Sequence, residues 1–346
     1  MAYRRSNGKG RKKIEPAVKT LSFATPTNDA GKTYIDLSQV ASLVNRRFYR
    51  QGINWAVSGF KVSSLRSGVV NIFKLPETWV MSNAWNKGFR AWQRMNNEAL
   101  EENESVRPRF LDFKIYADAA HHAAGYGANL LPLSSTATIA IAGEWESSKV
   151  VVPTSTSLSS VSEFEVIAVG SSFPGASPAT TLNAVSLIEG YAASRGLPSI
   201  TDPNTPGDAE DVGPTATPEN WLGSMFNEGT DQDKTVLADM ITENNQAPYP
   251  FENAQVPGAA PGTVFTDTMY PGGANQLDGL EWHDTVNIFE ANATFGIGTQ
   301  RMKGGLFPCG LICFDWTPDE AANLVIQVDL VPGHHRGYLC EPMTEM

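Results

Sequence analysis

Short runs of alternating apolar and polar residues, bounded by Gly and Pro and set far apart along the chain, dominate the sequence from residue 107 onward. FLDFKIY (110–116), ATIAIA (137–142), KVVVP (149–153) and FEVIAVG (164–170) are four such runs. After a long interval come WHDTVNIFEANATF (282–295), FPCGLICFDW (307–316) and NLVIQVDLV (323–331). A period of two turns one face of each run toward a core and the other away from it, the pattern of half-buried strands. Residues 53–63 and 69–75 read the same way, and LSFAT (21–25) and KTYIDL (32–37) form two more short strands around the turn PTNDAG.

Helices belong to the connections. Residues 38–50 carry Val40, Leu43, Val44 and Phe48 roughly on one face. Ser38 stands where an N-cap belongs and Gly52 where the helix stops, so the exposed side holds Arg46, Arg47 and Arg50. From about Asn83 to Asn103, Trp85, Phe89, Trp92, Asn96 and Ala99 recur at helical spacing, while Lys87, Arg90 and Arg94 fall elsewhere. The interval 171–280 predicts helices at 182–196 and 230–245, an acidic turn-rich segment at 202–220 and Pro/Gly-rich loops. Repeats of about 20–50 residues are absent, which disfavours solenoids and propellers. Long connections between antiparallel strands predict an all-β fold, a single jelly-roll sandwich of two packed antiparallel sheets with a few helices in long loops. Residues 1–16 form a flexible basic arm, and 17–346 one jelly-roll domain with a loop and helix insertion at about 171–280.

Charge is sorted along this chain rather than mixed. Residues 1–116 carry 20 Lys/Arg against 9 Asp/Glu, and residues 117–346 carry 6 against 28, which sum to the net charge of −11. The first thirteen residues, MAYRRSNGKGRKK, hold six cations (Arg4, Arg5, Lys9, Arg11, Lys12 and Lys13) and no acid. Such a tether contacts phosphates without any fixed fold, each contact releasing counterions. Fully extended, thirteen residues reach about 45 Å. A run such as KGRKK also suits a nuclear import signal, and the plainest reading is a solubilising tail. Arg46, Arg47 and Arg50 favour polyanion binding, because they extend the patch onto ordered structure. Tyr3 and Tyr49 are candidates to add base stacking, with Phe48 read as core.

Other motifs are weaker. PTNDAGKT (26–33) ends like a phosphate-binding loop, but Pro26 stands where a Gly N–H is needed and a strand, not a helix, follows. Neither histidine pair, His121–His122 or His334–His335, has helical metal spacing. Cys309 and Cys313 share a strand face as ordinary core, and three cysteines do not make a disulfide framework, which fits a reducing compartment. DPNTPG (202–207) begins like a calcium loop, but its twelfth position is Gly213, leaving Asp208, Glu210 and Asp211 at most a loose cation site. Ser194 sits late in a helix rather than at a nucleophile elbow. The sequence therefore predicts no catalytic residue, no metal site and no cofactor. A membrane span of ~20 apolar residues and the apolar block of a secretory signal are both missing, so a soluble product made inside the cell is expected.

WVMSNAW (79–85), ENNQAPYPFEN (243–253), MYPGGANQL (269–277) and GGLFPCGLICFD (304–315) resemble segments of the capsid proteins of small circular Rep-encoding single-stranded DNA viruses. Plant-type RNA virus capsids share the wider architecture. The resemblance implies a single jelly-roll subunit assembling into a closed icosahedral shell of about 60 or more copies. Its arm faces inward on a single-stranded genome, DNA favoured over RNA. The acidic interval lies outward, where its negative charge does not compete for the genome, and a host surface receptor that the sequence does not identify is a further partner. With ~60 copies, the arms alone supply roughly 360 positive charges against the phosphates. The expected setting is the virion, with passage through the host nucleus before assembly. The competing expectation is a β-sandwich carbohydrate-binding or attachment module with an incidental basic tail, motivated by eight tryptophans and the loop-rich 171–280 interval.

Overall fold

The computed structural model describes residues 16–27, 31–99, 101, 112–134, 138–143, 145–153, 161–171, 175–194, 279–290 and 298–345. In chain order the elements are strands β1 (Thr20–Ala24) and β2 (Gly31–Asp36), helix α1 (Leu37–Asn45), strands β3 (Ile53–Ser64) and β4 (Gly68–Lys74), and helices α2 (Trp79–Ala99) and α3 (Ala119–Ala124). Strands β5 (Val150–Pro153), β6 (Val161–Ile167) and β7 (Ala184–Ser186) and helix α4 (Leu187–Ser194) follow. The last third holds β8 (Glu281–Ile288), β9 (Gly298–Phe307), β10 (Leu311–Pro318) and β11 (Leu324–Leu330), then three very short strands, β12 (Pro332–Gly333), β13 (Gly337–Tyr338) and β14 (Cys340–Pro342).

Two antiparallel sheets form a sandwich. One runs β1-β11-β3-β9, with β14 continuing the β11 edge of β3, and the other runs β2-β10-β4-β8. Between them lies a core of Phe23, Ile35, Trp55, Phe60, Val62, Val70, Ile72, Phe307, Ile312, Phe314, Ile326 and their neighbours. A second apolar cluster covers the other face of the β2-β10-β4-β8 sheet. There Tyr34, Phe73, Leu311 and Cys313 pack under Val80, Met81, Ala84 and Trp85 of α2 and under residues of β6, β7 and α4. This explains a contrast in the sequence. β11 buries alternate residues, as a one-sided strand must, whereas LICF of β10 is buried continuously because both its faces are covered.

The described residues between β4 and β8 lie outside the two sheets. β5 and β6 pair antiparallel and β6 and β7 parallel, making a third sheet of their own. The close approach of α2 and α4 rests on Gly88, where a Cβ would lie 2.4 Å from Cδ2 of Leu187. At the opposite end of the sandwich Arg66 ties three loops together, its guanidinium 2.7 Å from Glu290 and 2.9 Å from Glu320. Exposed pairs of this kind contribute little stability but fix loop positions.

Several elements differ from the sequence reading. α1 starts one residue earlier and ends at Asn45, capped by Asp36 rather than Ser38; Asp36 Oδ1 accepts from the N–H groups of Ser38 at 2.8 Å and Gln39 at 3.3 Å. α2 begins at Trp79, four residues before Asn83, where Thr78 Oγ1 accepts from Met81 N at 3.3 Å. Residues 112–115 are not a strand, and Tyr116 makes only an isolated bridge to Ile167. ATIAIA gives a single bridge, Ile139 to Leu133, with Ile139 and Ile141 exposed, because among the described residues no neighbouring strand buries its apolar side. The stretch at 182–196 divides into β7 and α4. β9 was not expected at all. The helix at 230–245 and the acidic segment at 202–220 lie outside the described residues.

Phe314 is fully buried and packs edge-on against Phe60 at a centroid distance of 5.6 Å. Phe314→Ala should cost about 3–5 kcal/mol of stability, measured by urea denaturation, since both sheets close on that ring.

Candidate nucleic-acid interface

The loop after α1 organises the basic end of the molecule. Asn45, the last helical residue, donates through Nδ2 to Ala41 O at 3.0 Å and to the Tyr338 hydroxyl at 2.8 Å. Its Oδ1 accepts from Val18 N at 3.0 Å, and the Tyr338 hydroxyl donates to Val18 O at 2.6 Å. Residues 1–15, with the six cations Arg4, Arg5, Lys9, Arg11, Lys12 and Lys13, lie outside the described residues. The chain they belong to joins the fold at this point, beside the end of α1.

Arg46, Arg47 and Arg50 are not helical. Arg46 is the C-cap in the left-handed conformation (φ 53°), and the chain turns back so that Tyr49, not Phe48, enters the core. Tyr49 is 2% exposed, its N–H donating to Ser42 Oγ at 2.9 Å and its hydroxyl to Arg336 O at 2.8 Å. Phe48, expected in the core, is 49% exposed. Arg46 and Arg50 are exposed and Arg47 half-buried. A fourth arginine joins them that the sequence reading missed: Arg336, in the turn HHRG after β12, donates to Phe48 O. Its only sequence signal was a lone cation in an acidic half.

Arg50 and Arg336 stand on a cleft of about 470 Å³ whose walls include Phe48, Trp85, Phe89 and His335. Trp85 and Phe89 are stacked, with centroids 5.1 Å apart and planes 9° from parallel. Gly52 (φ 93°) makes room for the indole, since a Cβ there would come within 2.1 Å of Trp85 Cζ2. Guanidinium groups beside the exposed Phe48 ring suit a nucleotide unit: phosphate on the cations, base on the ring, with stacking worth about 1–3 kcal/mol per base.

Behind Phe48 lies a buried polar network. Asp36 is fully buried and accepts from Gln51 Nε2 at 3.1 Å and Trp145 Nε1 at 2.8 Å as well as from the α1 amides. Burial nevertheless pushes its carboxyl pKa up against those donors. Asp112 lines the cleft, accepting from Gln51 N at 3.2 Å with Lys114 Nζ at 3.5 Å; burial first, and the neighbouring Asp36 charge, push it up to about 6. His121 is pushed down to about 4 by burial, so it stays neutral; its Nδ1 accepts from Ala117 N at 3.0 Å and its Nε2 lies 2.7 Å from Asn129 Oδ1. His122 Nε2 meets Glu165 Oε2 at 2.8 Å, and Ser147 donates to the other oxygen. Burial alone would raise the Glu165 carboxyl, but hydrogen bonds from His122, Ser147 and Thr180 outweigh it and lower the pKa. Serine and histidine thus hold opposite oxygens of one carboxylate, a structural bridge rather than a nucleophile facing its base.

The remaining motif residues fall as follows. Gly31, Lys32 and Thr33 lie on strand β2. Cys309 sits in a tight turn before β10 and Cys313 on β10, both buried, with burial raising the Cys309 thiol and pushing Cys313 up to about 12. Among the described residues no group of three His, Cys, Asp or Glu is placed to hold a metal ion, and the 202–211 loop lies outside them. No protein-family model, no curated protein and no solved structure matches the chain.

Asp112 gives a pH test. Its folded pKa of about 6 exceeds the unfolded value near 3.8, so between these limits the folded state binds more protons and stability falls as pH rises. Asp112→Asn should be more stable than the parent at pH 7 by up to about 3 kcal/mol, with the gap closing toward pH 4. Paired denaturant titrations isolate this effect from that of His121, whose lowered pKa removes stability as pH falls.

Proposed function

We propose that this chain is a capsid protein of the single jelly-roll type, whose copies close into an icosahedral shell around a single-stranded nucleic-acid genome, DNA favoured over RNA. The observation that carries the packaging reading is the junction at Val18. There the chain that follows the six arm cations is held at the end of α1, one residue before Arg46, with Arg47, Arg50 and Arg336 on the same part of the fold. Arg46 and Arg336, 290 positions apart in sequence, thereby belong to one basic region of the described fold. A polyanion is the partner that suits such a region.

The strand order supports the jelly roll. Sheets ordered β1-β11-β3-β9 and β2-β10-β4-β8 pair the earliest strands with the latest, as when eight antiparallel strands roll up as two Greek keys. In this reading the long chain between β4 and β8 decorates the shell, and the virion is the protein's final location, with the host nucleus a station before assembly. Among the described residues no helix is long and apolar enough to cross a membrane. The carbohydrate-module alternative draws less support, since Trp55, Trp85, Trp92, Trp145 and Trp316 are buried and only Trp79 and Trp282 of the described tryptophans are exposed.

Negative-stain microscopy of the full-length protein should show uniform closed particles. Six arm contacts at ~0.7 each give log K for an oligothymidylate a dependence on log salt that weakens by about 4 when residues 2–13 are deleted. A monomer that binds a glycan, with no salt-dependent affinity for the oligonucleotide, would overturn the proposal.

A further inference from the structure

The two faces of the β1-β11-β3-β9 sheet differ sharply. One buries Phe60, Val62, Met302, Ile326 and Val328 in the sandwich. The other carries Lys61, Arg301 and Lys303, all exposed. In the register of β3 and β9, Lys61 stands directly opposite Arg301, and Lys303 opposite Gly59 one step along the same face. Cross-strand neighbours hold their Cβ atoms about 4.5–5.5 Å apart, and like charges so placed destabilise a sheet.

No direct ion pair offsets that repulsion among the described residues. None of the three side chains forms an ion pair or hydrogen bond among the described residues. In the row of Lys61 and Arg301, Ser22 on β1 and Gln327 on β11 are uncharged hydrogen-bonding groups. The row of Lys303 and Gly59 carries one acid, Asp329, which accepts from Thr20 Oγ1 at 2.6 Å, and Asp284 of β8 accepts from Lys303 N at 2.9 Å; neither pairs with a cation of the face, so three cations stand against at most two partial counter-charges. The placement is also against the grain of the chain. Residues 117–346 hold only six cations against 28 acids, yet two of the six occupy this face, beside a lysine from the basic half.

We infer that this exposed sheet face is a second contact surface for the phosphate backbone of single-stranded nucleic acid, separate from the arm and the Arg46–Arg50 loop. The inference rests on the packaging reading and adds to it which wall of the sandwich the strand lies against. Geometry favours a nucleic acid over a small anion, because the cations form an open row on a flat sheet rather than a pocket. The arm joins the fold immediately before β1, the edge strand of this same sheet, so a strand gathered by the arm is delivered to it.

The test uses the full-length protein and an oligothymidylate, with affinity measured by fluorescence anisotropy across a salt series. The triple variant Lys61→Gln, Arg301→Gln, Lys303→Gln should weaken the dependence of log K on log salt by about 2, and Arg301→Gln alone by about 0.7. The thermal midpoint should stay level or rise, because neutralising the row relieves like-charge repulsion. Arg90→Gln, on the exposed side of α2, should leave the salt dependence unchanged. An unchanged slope in the triple variant overturns the inference while leaving arm-based packaging intact. So does a drop of equal size per charge in Arg90→Gln, which would mark a diffuse field. A fall in thermal midpoint would show that the face is already neutralised by acids of this chain, and overturns it too. Absence of salt-dependent binding in the parent overturns the packaging reading itself.

Discussion

Asp36 is the residue on which the basic end of the molecule depends. It closes β2, caps α1 through two backbone amides, holds Gln51 and so the loop that carries Arg46, Arg47 and Arg50, and fixes Trp145 from the chain beyond β4. A fully buried carboxylate is costly unless its lone pairs are filled, and here four donors converge on it. Because the cap sets where α1 starts, it also sets where Asn45 ends it. Asn45 in turn holds the Val18 backbone that leads into the arm. One buried carboxyl group with its hydrogen bonds filled thereby sets how the loop of Arg46, Arg47 and Arg50 sits beside Val18.

The sandwich itself is a layered object with unequal sides. The β2-β10-β4-β8 sheet is a middle layer, with apolar clusters on both faces, whereas among the described residues the β1-β11-β3-β9 sheet is covered on one face only. That inequality places α2, α4, the third sheet and the buried His–carboxylate contact on one side, while α1 packs into the core between the sheets. Among the described residues the other side is a plain polar surface.

Legibility followed the layers. β1, β2, β3, β4, β10 and β11 were readable because alternation, or an unbroken apolar run, reports burial directly. β9 was hidden: Gly304 and Gly305 break its alternation, and Arg301 and Lys303 made it resemble a charged loop. ATIAIA alternates well and forms no ladder, because alternation records only the wish for a partner strand. The helical period could place Phe48 and Tyr49 no better than within a residue of each other. The left-handed turn at Arg46 exchanged their roles and took three arginines off the helix. Arg336 was invisible for a different reason, since only tertiary folding brings it within reach of residue 48.

The first and last strands of the sandwich pair with each other. Thr20 of β1 faces Asp329 of β11, and Val18 is held by Tyr338, contacts that close loops of more than 300 residues. Loop-closure entropy grows only slowly with length, so the finished pairing is not expensive, but it is slow to find. On a ribosome β1 has no partner until β11 has been made. It is therefore synthesised some 300 residues before the strand that seats it, and the contacts that hold Val18 beside the end of α1 form only after Tyr338 has been added.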